Sequence, residues 1–271
     1  MSTLPPARLA SLLVYPLKSA GGIALAEARV DQTGLAHDRR WLIVDRNGRF
    51  VTQRSHARMA RVRTALQGEA LRVTAPGMEP LELPLAASEG PTEEVAVWDL
   101  GRFARSCGPE ADAWASQWLD EPCRVVRAAA PPNQRPLDER GKVRTGFADA
   151  YPALVISTAS LADLNGRLFE PLPMNRFRPN LVVEGVPAYA EDAWQRARIG
   201  EVALLGRKTC LRCAITTTDQ ETGERGVEPL RTLTTYRRVA GGEVAFGMNL
   251  GFESSGTLRV GDPVRVSEGA A

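Results

Sequence analysis

The chain has 271 residues, 44% hydrophobic and 24% charged, with a formal net charge of +2. That length fits one large or two smaller domains with a sizeable core, and the near-neutral balance gives no bulk attraction to nucleic acid or to an anionic membrane surface. No apolar run reaches the roughly 18 residues of a membrane-spanning helix, the N-terminus has neither signal-peptide nor anchor pattern, and four cysteines do not make a disulfide scaffold, so a cytoplasmic protein is expected.

The first hundred residues read mostly as strands. ALAEARVD alternates, placing Ala24, Ala26, Ala28 and Val30 on one face. WLIVDRNGRFVTQR is two apolar runs around Asn47-Gly48, a tight hairpin signal. LRVTA, LELPL and EEVAVWD are further short strands separated by Gly and Pro. A helix is predicted over Pro109–Leu119, with Ala111, Trp114 and Trp118 on one face. CRVVRAA follows as a strand, and Pro131–Pro152 as a long, unperiodic polar loop. ALVIS is a buried strand, and STASLADLNGRL a helix capped by Ser or Thr and ending near Gly166. NLVVEG, ARIGEVALLG and TLRVGDPVRV are strands, and Val227–Arg237 is a short helix. The fold class is therefore mainly β with a few helices (α+β), in two lobes that share an interface.

Cys210 and Cys213 are the most pointed chemical signal. A structural zinc needs four ligands. Cys107 and Cys123 are sixteen apart and form no second pair, and the two histidines do not pair either. The β-branched run Ile215-Thr216-Thr217-Thr218 predicts a strand rather than the helix of a thioredoxin-type disulfide. On the residues alone the pair reads as two half-buried thiols in a strand. Arg212 between them changes that balance, because an adjacent guanidinium favours thiolate and clamps anions.

Three other stretches carry anion-binding chemistry. Arginine far outnumbers lysine, and its planar fork suits oxyanions. VYPLKSAGG puts Lys18-Ser19 after a strand and before Gly21-Gly22. It lacks the glycine-opened loop of a nucleotide site, yet Lys, Ser and glycine amides can cradle one phosphate. HDRRWLIV offers Asp38, Arg39 and Arg40, with one arginine expected towards a site and the other towards solvent. NRFRPNLVV offers Arg176, Arg178 and Asn180, expected on one extended face because Pro179 disfavours helix at Arg178. Each is, taken singly, also what a solvated surface or basic strand edge looks like. Together they describe a site for an anionic, metal-bearing cofactor.

The combination resembles the MOSC family, named for the C-terminal domain of molybdenum cofactor sulfurase, together with its N-terminal β-barrel region. The matching stretches are YPLKS, HDRRWLIVD, FADAYPALVISTASLADLN, RFRPNLVVEG, YAEDAWQRARIGEVAL, CLRCAITTTDQETG and FGMNLGFESSGTLRVGDPV. Within the family the chain is similar to the amidoxime-reducing group of mitochondria and its bacterial relatives. The resemblance implies an N-terminal β-barrel region over 1–124 and a cofactor-binding MOSC β-barrel domain over 125–271. It implies the molybdopterin form of molybdenum cofactor, with Cys213 as catalytic and metal-ligating residue. Lys18 and Ser19 would hold the phosphate; Arg39, Arg178, Asn180, Leu211 and Arg212 would hold the rest. The implied reaction is reduction of N-hydroxylated compounds, with electrons from a separate ferredoxin, flavodoxin or cytochrome with its reductase. The alternative is a carrier or sulfur-transfer protein working through Cys213. Cys210 has no fixed role, and Asp219 is a candidate proton relay outside the catalytic set. A pyridoxal phosphate label attaches to the family, but no separate lysine motif supports it here. The Arg- and Ala-rich composition suggests a bacterial source.

Overall fold

A computed structural model of the protein describes residues 5–31, 33–86, 91–129, 133–138 and 141–267. Strands dominate, as the sequence predicts. The largest sheet has eight strands, in the order Ile23–Leu25, Arg8–Val14, Leu181–Glu184, Ala153–Ser157, Ala245–Phe252, Val202–Leu211, Arg196–Ile199 and Val264–Ser267. Ala153–Ser157 and Leu181–Glu184 pair in parallel. A parallel pair needs a crossover, and the helix Thr158–Asn165 between the two strands provides it.

A second sheet orders Trp41–Asp45, Cys123–Ala128, Leu100–Ser106 and Glu93–Val97, and a third contains Arg63–Gln67, Ala70–Thr74 and Leu81–Pro84. The first two strands of the chain, Arg8–Val14 and Ile23–Leu25, therefore belong to the sheet built otherwise from the second half. Leu9, Leu12 and Val14 are buried in one core with Val155, Leu181, Val202 and Leu250. Trp41, Ile43, Met59, Val73 and Trp118 form another. A division at 124/125 falls inside the strand Cys123–Ala128.

Local chemistry explains most elements. Helix α1 spans Pro109–Leu119, with proline at its first position and Asp120 in the left-handed conformation ending it. Ala111, Trp114 and Trp118 are buried, as the helical spacing predicts. Helix α2, Thr158–Asn165, is the crossover between the parallel strands. Ser157 caps it by accepting from the Ser160 amide, and Gly166 ends it. At the Asn47-Gly48 turn, Gly48 has φ 74°. The Asp45 carboxylate accepts from the Asn47 and Arg49 amides at 2.8 and 2.9 Å.

Four expectations are corrected. ALAEARVD is not one strand: it breaks at Ala26 into Ile23–Leu25 and Glu27–Asp31, so Ala28 and Val30 are buried while Ala24 and Ala26 are exposed. The two pieces join different sheets, which forces the break. The expected loop over 131–152 contains an antiparallel hairpin, Asn133–Asp138 with Gly141–Thr145; residues 131, 132, 139 and 140 lie outside the described set. The helix expected over Val227–Arg237 shortens to α3, Leu230–Thr234, which starts after Pro229. Ile215–Thr218 is no strand: residues Ala214–Thr217 form a 3-10 turn. The Thr216 and Thr217 hydroxyls donate to the carbonyls of Cys213 (2.9 Å) and Ala214 (2.8 Å). Local side-chain bonding of this kind competes successfully with a strand that has run out of partners.

The strand Val202–Leu211 delivers the cysteines, and it bulges between Gly206 and Lys208 against its neighbour. At Gly206 a Cβ would stand 1.7 Å from the Trp194 carbonyl oxygen. Backbone cannot yield as a side chain does, so Gly206→Ala is expected to destabilise by at least about 2 kcal/mol. A denaturant midpoint indistinguishable from the parent's would show that the bulge accommodates the methyl group.

Candidate functional site

Lys18, Ser19, Arg39, Arg178, Asn180, Leu211, Arg212 and Cys213 all line one cleft of about 430 Å³. They arrive from four separate segments. Lys18 and Ser19 lie in the turn after Arg8–Val14, and Arg39 in the turn before Trp41–Asp45. Arg178 and Asn180 precede Leu181–Glu184, and the cysteine segment follows from Val202–Leu211.

The turns, not extended faces, aim these side chains. Arg39 has φ 47° and Arg178 φ 55°, both left-handed. Arg178 is thus not extended before Pro179 as expected; Met174–Arg176 is a 3-10 turn, and the chain reverses at Arg178. Arg176, Arg178 and Asn180 reach one cleft nonetheless. Arg40 turns the other way, to Asp31 and Thr33. The Arg39 backbone is held by bonds from its own amide to the Tyr15 carbonyl (2.9 Å) and from the Phe147 amide to its carbonyl (2.8 Å).

Tyr15 is the platform beneath both arginines. The Arg39 and Arg178 guanidinium carbons lie 4.7 and 4.3 Å from its ring centre. Its hydroxyl donates to the Pro179 carbonyl at 3.0 Å, and burial pushes its pKa up to about 12 despite the two cations. Burial lowers Arg178 to about 10, with Tyr15 opposing and Arg39 adding to the fall. Arg39 goes the opposite way: burial disfavours its charge, but the adjacent Asp38 carboxylate more than compensates.

Asn180 is 1% exposed, and both its amide atoms are engaged within the protein. Its Oδ1 accepts from Arg39 Nη1 (2.9 Å) and the Leu154 amide (3.3 Å). Its Nδ2 donates to the Leu13 carbonyl and to Asp38 Oδ1, each at 3.1 Å. Asn180 therefore holds Arg39 in place.

Asp149 organises the other side. Its Oδ1 accepts from Lys18 Nζ (2.7 Å) and Trp98 Nε1 (3.0 Å), and its Oδ2 from Arg54 Nη2 (3.2 Å). Lys18 also donates to the Phe147 carbonyl at 2.8 Å. Burial alone would raise the Asp149 pKa, but Lys18 and Arg54 hold it well below the ordinary carboxylate value. Lys18 is lowered, first by burial and further by Arg39 and Arg54, against the pull of Asp149. Burial likewise opposes the Arg54 charge, and Asp149 and Cys213 outweigh it.

Arg54, Trp98 and Asp149 were missed by reading the sequence. Asp149 sits inside the quoted FADAYP stretch, but nothing local marks its partners. Arg54 ends the WLIVDRNGRFVTQR stretch, which reads only as a hairpin. It is nevertheless Arg54 whose charge interacts with Cys213. The expected partner, Arg212, instead donates to Cys210 Sγ (2.8 Å) and the Phe177 carbonyl (2.6 Å). Cys210 thus anchors Arg212. Cys107 and Cys123 are free thiols pushed up to about 12 by burial.

Two further expectations change. The glycines after Lys18-Ser19 do not join a phosphate cradle. Gly21 donates its amide to the Val62 carbonyl at 2.8 Å, and Gly22 packs where a Cβ would meet the Tyr15 ring at 2.6 Å. Asp219, the candidate relay, is not among the residues lining the cleft. Its carboxylate accepts from the Glu221 and Thr222 amides and from Arg176 Nη2, so it shapes its own loop.

Among the described residues, seven cations line the cleft (Lys18, Arg39, Arg54, Arg176, Arg178, Lys208 and Arg212) against two carboxylates, Asp149 and Glu243. The buried Nε atoms of Arg176 and Arg212 have no protein partner. Such unused donors and excess charge suit an anionic ligand. Also among the described residues, no group of three His, Cys, Asp or Glu is placed to hold a metal ion. A metal at Cys213 therefore needs a ligand that brings its own donors.

A carboxyl held low in the folded state contributes stability above its unfolded pKa, about 4, which is lost as the pH falls further. Asp149 has a side chain 42% exposed, so water screens its pairs. Asp149→Asn is expected to cost on the order of 1 kcal/mol at neutral pH, and the gap to the parent should close below about pH 4. Urea midpoints measured down to about pH 3 check this; a gap that is constant with pH would contradict it.

Residues 6–122 match the MOSC N-terminal beta barrel domain, and residues 142–265 match the MOSC domain. The chain is 36% identical over 277 residues to mitochondrial amidoxime-reducing component 1 of Mus musculus, covering 94% of this chain and 81% of that protein. The Homo sapiens component 1 is 34% identical, covering 94% and 82%. Component 2 of Rattus norvegicus is 34% identical, covering 93% and 80%. With both domains matched in order and relatives of this similarity along nearly its whole length, the chain belongs to the MOSC family.

Proposed function

We propose that the cleft retains molybdenum cofactor in its molybdopterin form and that the protein uses it to reduce N-hydroxylated compounds. Electrons come from a separate ferredoxin, flavodoxin or cytochrome with its reductase. The observation that carries this reading is the convergence of Lys18, Ser19, Arg39, Arg178 and Arg212 on the same cleft as Cys213. The relatives' name, amidoxime-reducing component, supports the choice of reaction.

The chain's own residues divide the work. Cys213 supplies the thiolate, a soft ligand suited to a metal–sulfur centre. Lys18, its charge disfavoured by burial and by neighbouring arginines, is stabilised by a phosphate placed beside it, and the Ser19 hydroxyl adds a donor. Arg39 and Arg178, fixed on Tyr15, present donors to the pterin without first having to be ordered. Asn180 positions Arg39, and Leu211 contributes backbone. Arg54 pairs with Asp149 and interacts with Cys213. When bound, the cofactor supplies the two-electron redox chemistry. Cleavage of one N–O bond consumes two electrons and two protons, releases water and leaves the amine, amidine or parent base.

No helix among the described residues is long and apolar enough to cross a membrane. The test uses protein made in a host that synthesises the cofactor. About one molybdenum per chain is expected in the parent and little in Cys213→Ala, with amidoxime reduction lost in parallel. Molybdenum retained by the variant would move the ligand away from Cys213. Pterin bound without turnover would favour the carrier reading.

A further inference from the structure

Trp98 has a backbone that its side chain does not favour. It is the first of two residues turning Glu93–Val97 into Leu100–Ser106, where Val97 pairs with Leu100. Its φ is 58°. Two-residue hairpin turns that need positive φ at this position favour glycine or asparagine, and a bulky residue there is strained by roughly 1–2 kcal/mol. Strain of this kind persists where surrounding contacts enforce it, and it clusters at functional sites.

The enforcing contacts are specific. The indole Nε1 donates to Asp149 Oδ1 at 3.0 Å. The Arg54 guanidinium lies 4.5 Å from the ring centre, and the Phe50 ring 5.3 Å away at 57°. Trp98 thus contacts Arg54 and Asp149, in the same cleft as Cys213, yet it keeps 44% of its surface exposed. Trp98 is therefore a half-exposed aromatic face on the wall of a cleft that also carries seven cations among the described residues.

We propose that Trp98 is a specificity-determining residue, the wall on which planar, conjugated N-hydroxylated substrates stack. Aryl amidoximes and N-hydroxylated heteroaromatic bases gain this contact; saturated analogues with the same N–O group do not. The inference rests on the reductase reading and adds to it a basis for choosing among substrates.

Benzamidoxime and acetamidoxime share the reacting group and differ in the ring, so they isolate the wall. The cofactor-loaded full chain is assayed with a chemically reduced viologen dye as electron source, for the parent, Trp98→Phe and Trp98→Leu. In Trp98→Leu the ratio of the benzamidoxime KM to the acetamidoxime KM should rise about tenfold, the size of one aromatic stacking contact, over and above any change that loss of the Asp149 bond makes to both substrates alike. Trp98→Phe, which keeps a ring but loses the bond to Asp149, should retain most of the preference. Equal effects on both substrates, or a fall in kcat alone, would overturn the proposal and leave Trp98 as a support for Asp149. If the parent reduces neither compound, the reductase reading fails. Calorimetric binding of the same two probes then decides the wall separately. Selective loss of benzamidoxime binding in Trp98→Leu supports it; equal binding, or none in the parent, overturns it.

Discussion

The buried contact between Asp38 and Asn180 ties the two halves of the molecule together. One Asp38 oxygen accepts from the Tyr15 amide (2.8 Å) and from Asn180 Nδ2 (3.1 Å), while the other accepts from Arg39. Asn180 also bonds to Leu13 and Leu154, in the strands on either side of Leu181–Glu184, which it precedes. Removing one partner from such a network leaves buried groups unsatisfied, at about 1–3 kcal/mol each. The same bonds fix Tyr15, and Tyr15 carries Arg39 and Arg178. The register of the large sheet and the aim of two site arginines therefore have one cause.

The cleft is electrostatically expensive as built. Among the described residues, seven cations face two carboxylates, and burial opposes the charge of Lys18, Arg39, Arg54 and Arg178. Asp38 and Asp149 make the arrangement tolerable from opposite sides. The side chain of Asp38 is 5% exposed and belongs to the scaffold. Asp149 is open to the cleft and ties Lys18, Arg54 and Trp98 into one unit. An anionic ligand would relieve this repulsion further, which gives the site an affinity that does not depend on fine shape.

Backbone strain is gathered at the same place. Among the described residues, seven that are not glycine have positive φ, and four of them, Ser19, Trp98, Arg39 and Arg178, line the cleft. Left-handed backbone reverses the side-chain direction that an extended chain would give. It lets Arg39 and Arg40 diverge and brings Arg178 beside Arg176. The second half supports the first directly: Gln220 and Gln53 exchange side-chain hydrogen bonds at 3.0 Å, and Gln53 donates to the Ser19 carbonyl at 2.8 Å.

Periodicity and capping residues by themselves determined the strand-rich class, the bounds of Pro109–Leu119, the Ser157-capped helix and the Asn47-Gly48 turn, because each depends on interactions within a few residues. That Lys18, Ser19, Arg39, Arg178 and Cys213 belong to one site was legible only through the resemblance of several motifs, taken together, to the MOSC family. Only the tertiary structure decided that Arg54 serves Cys213 while Arg212 serves Cys210, that Asn180 spends its amide inside the protein, and that ALAEARVD breaks between two sheets. It also set Trp98 in the wall of the cleft. Each of these depends on contacts between residues far apart in the chain, and local pattern carries no record of which distant groups will meet.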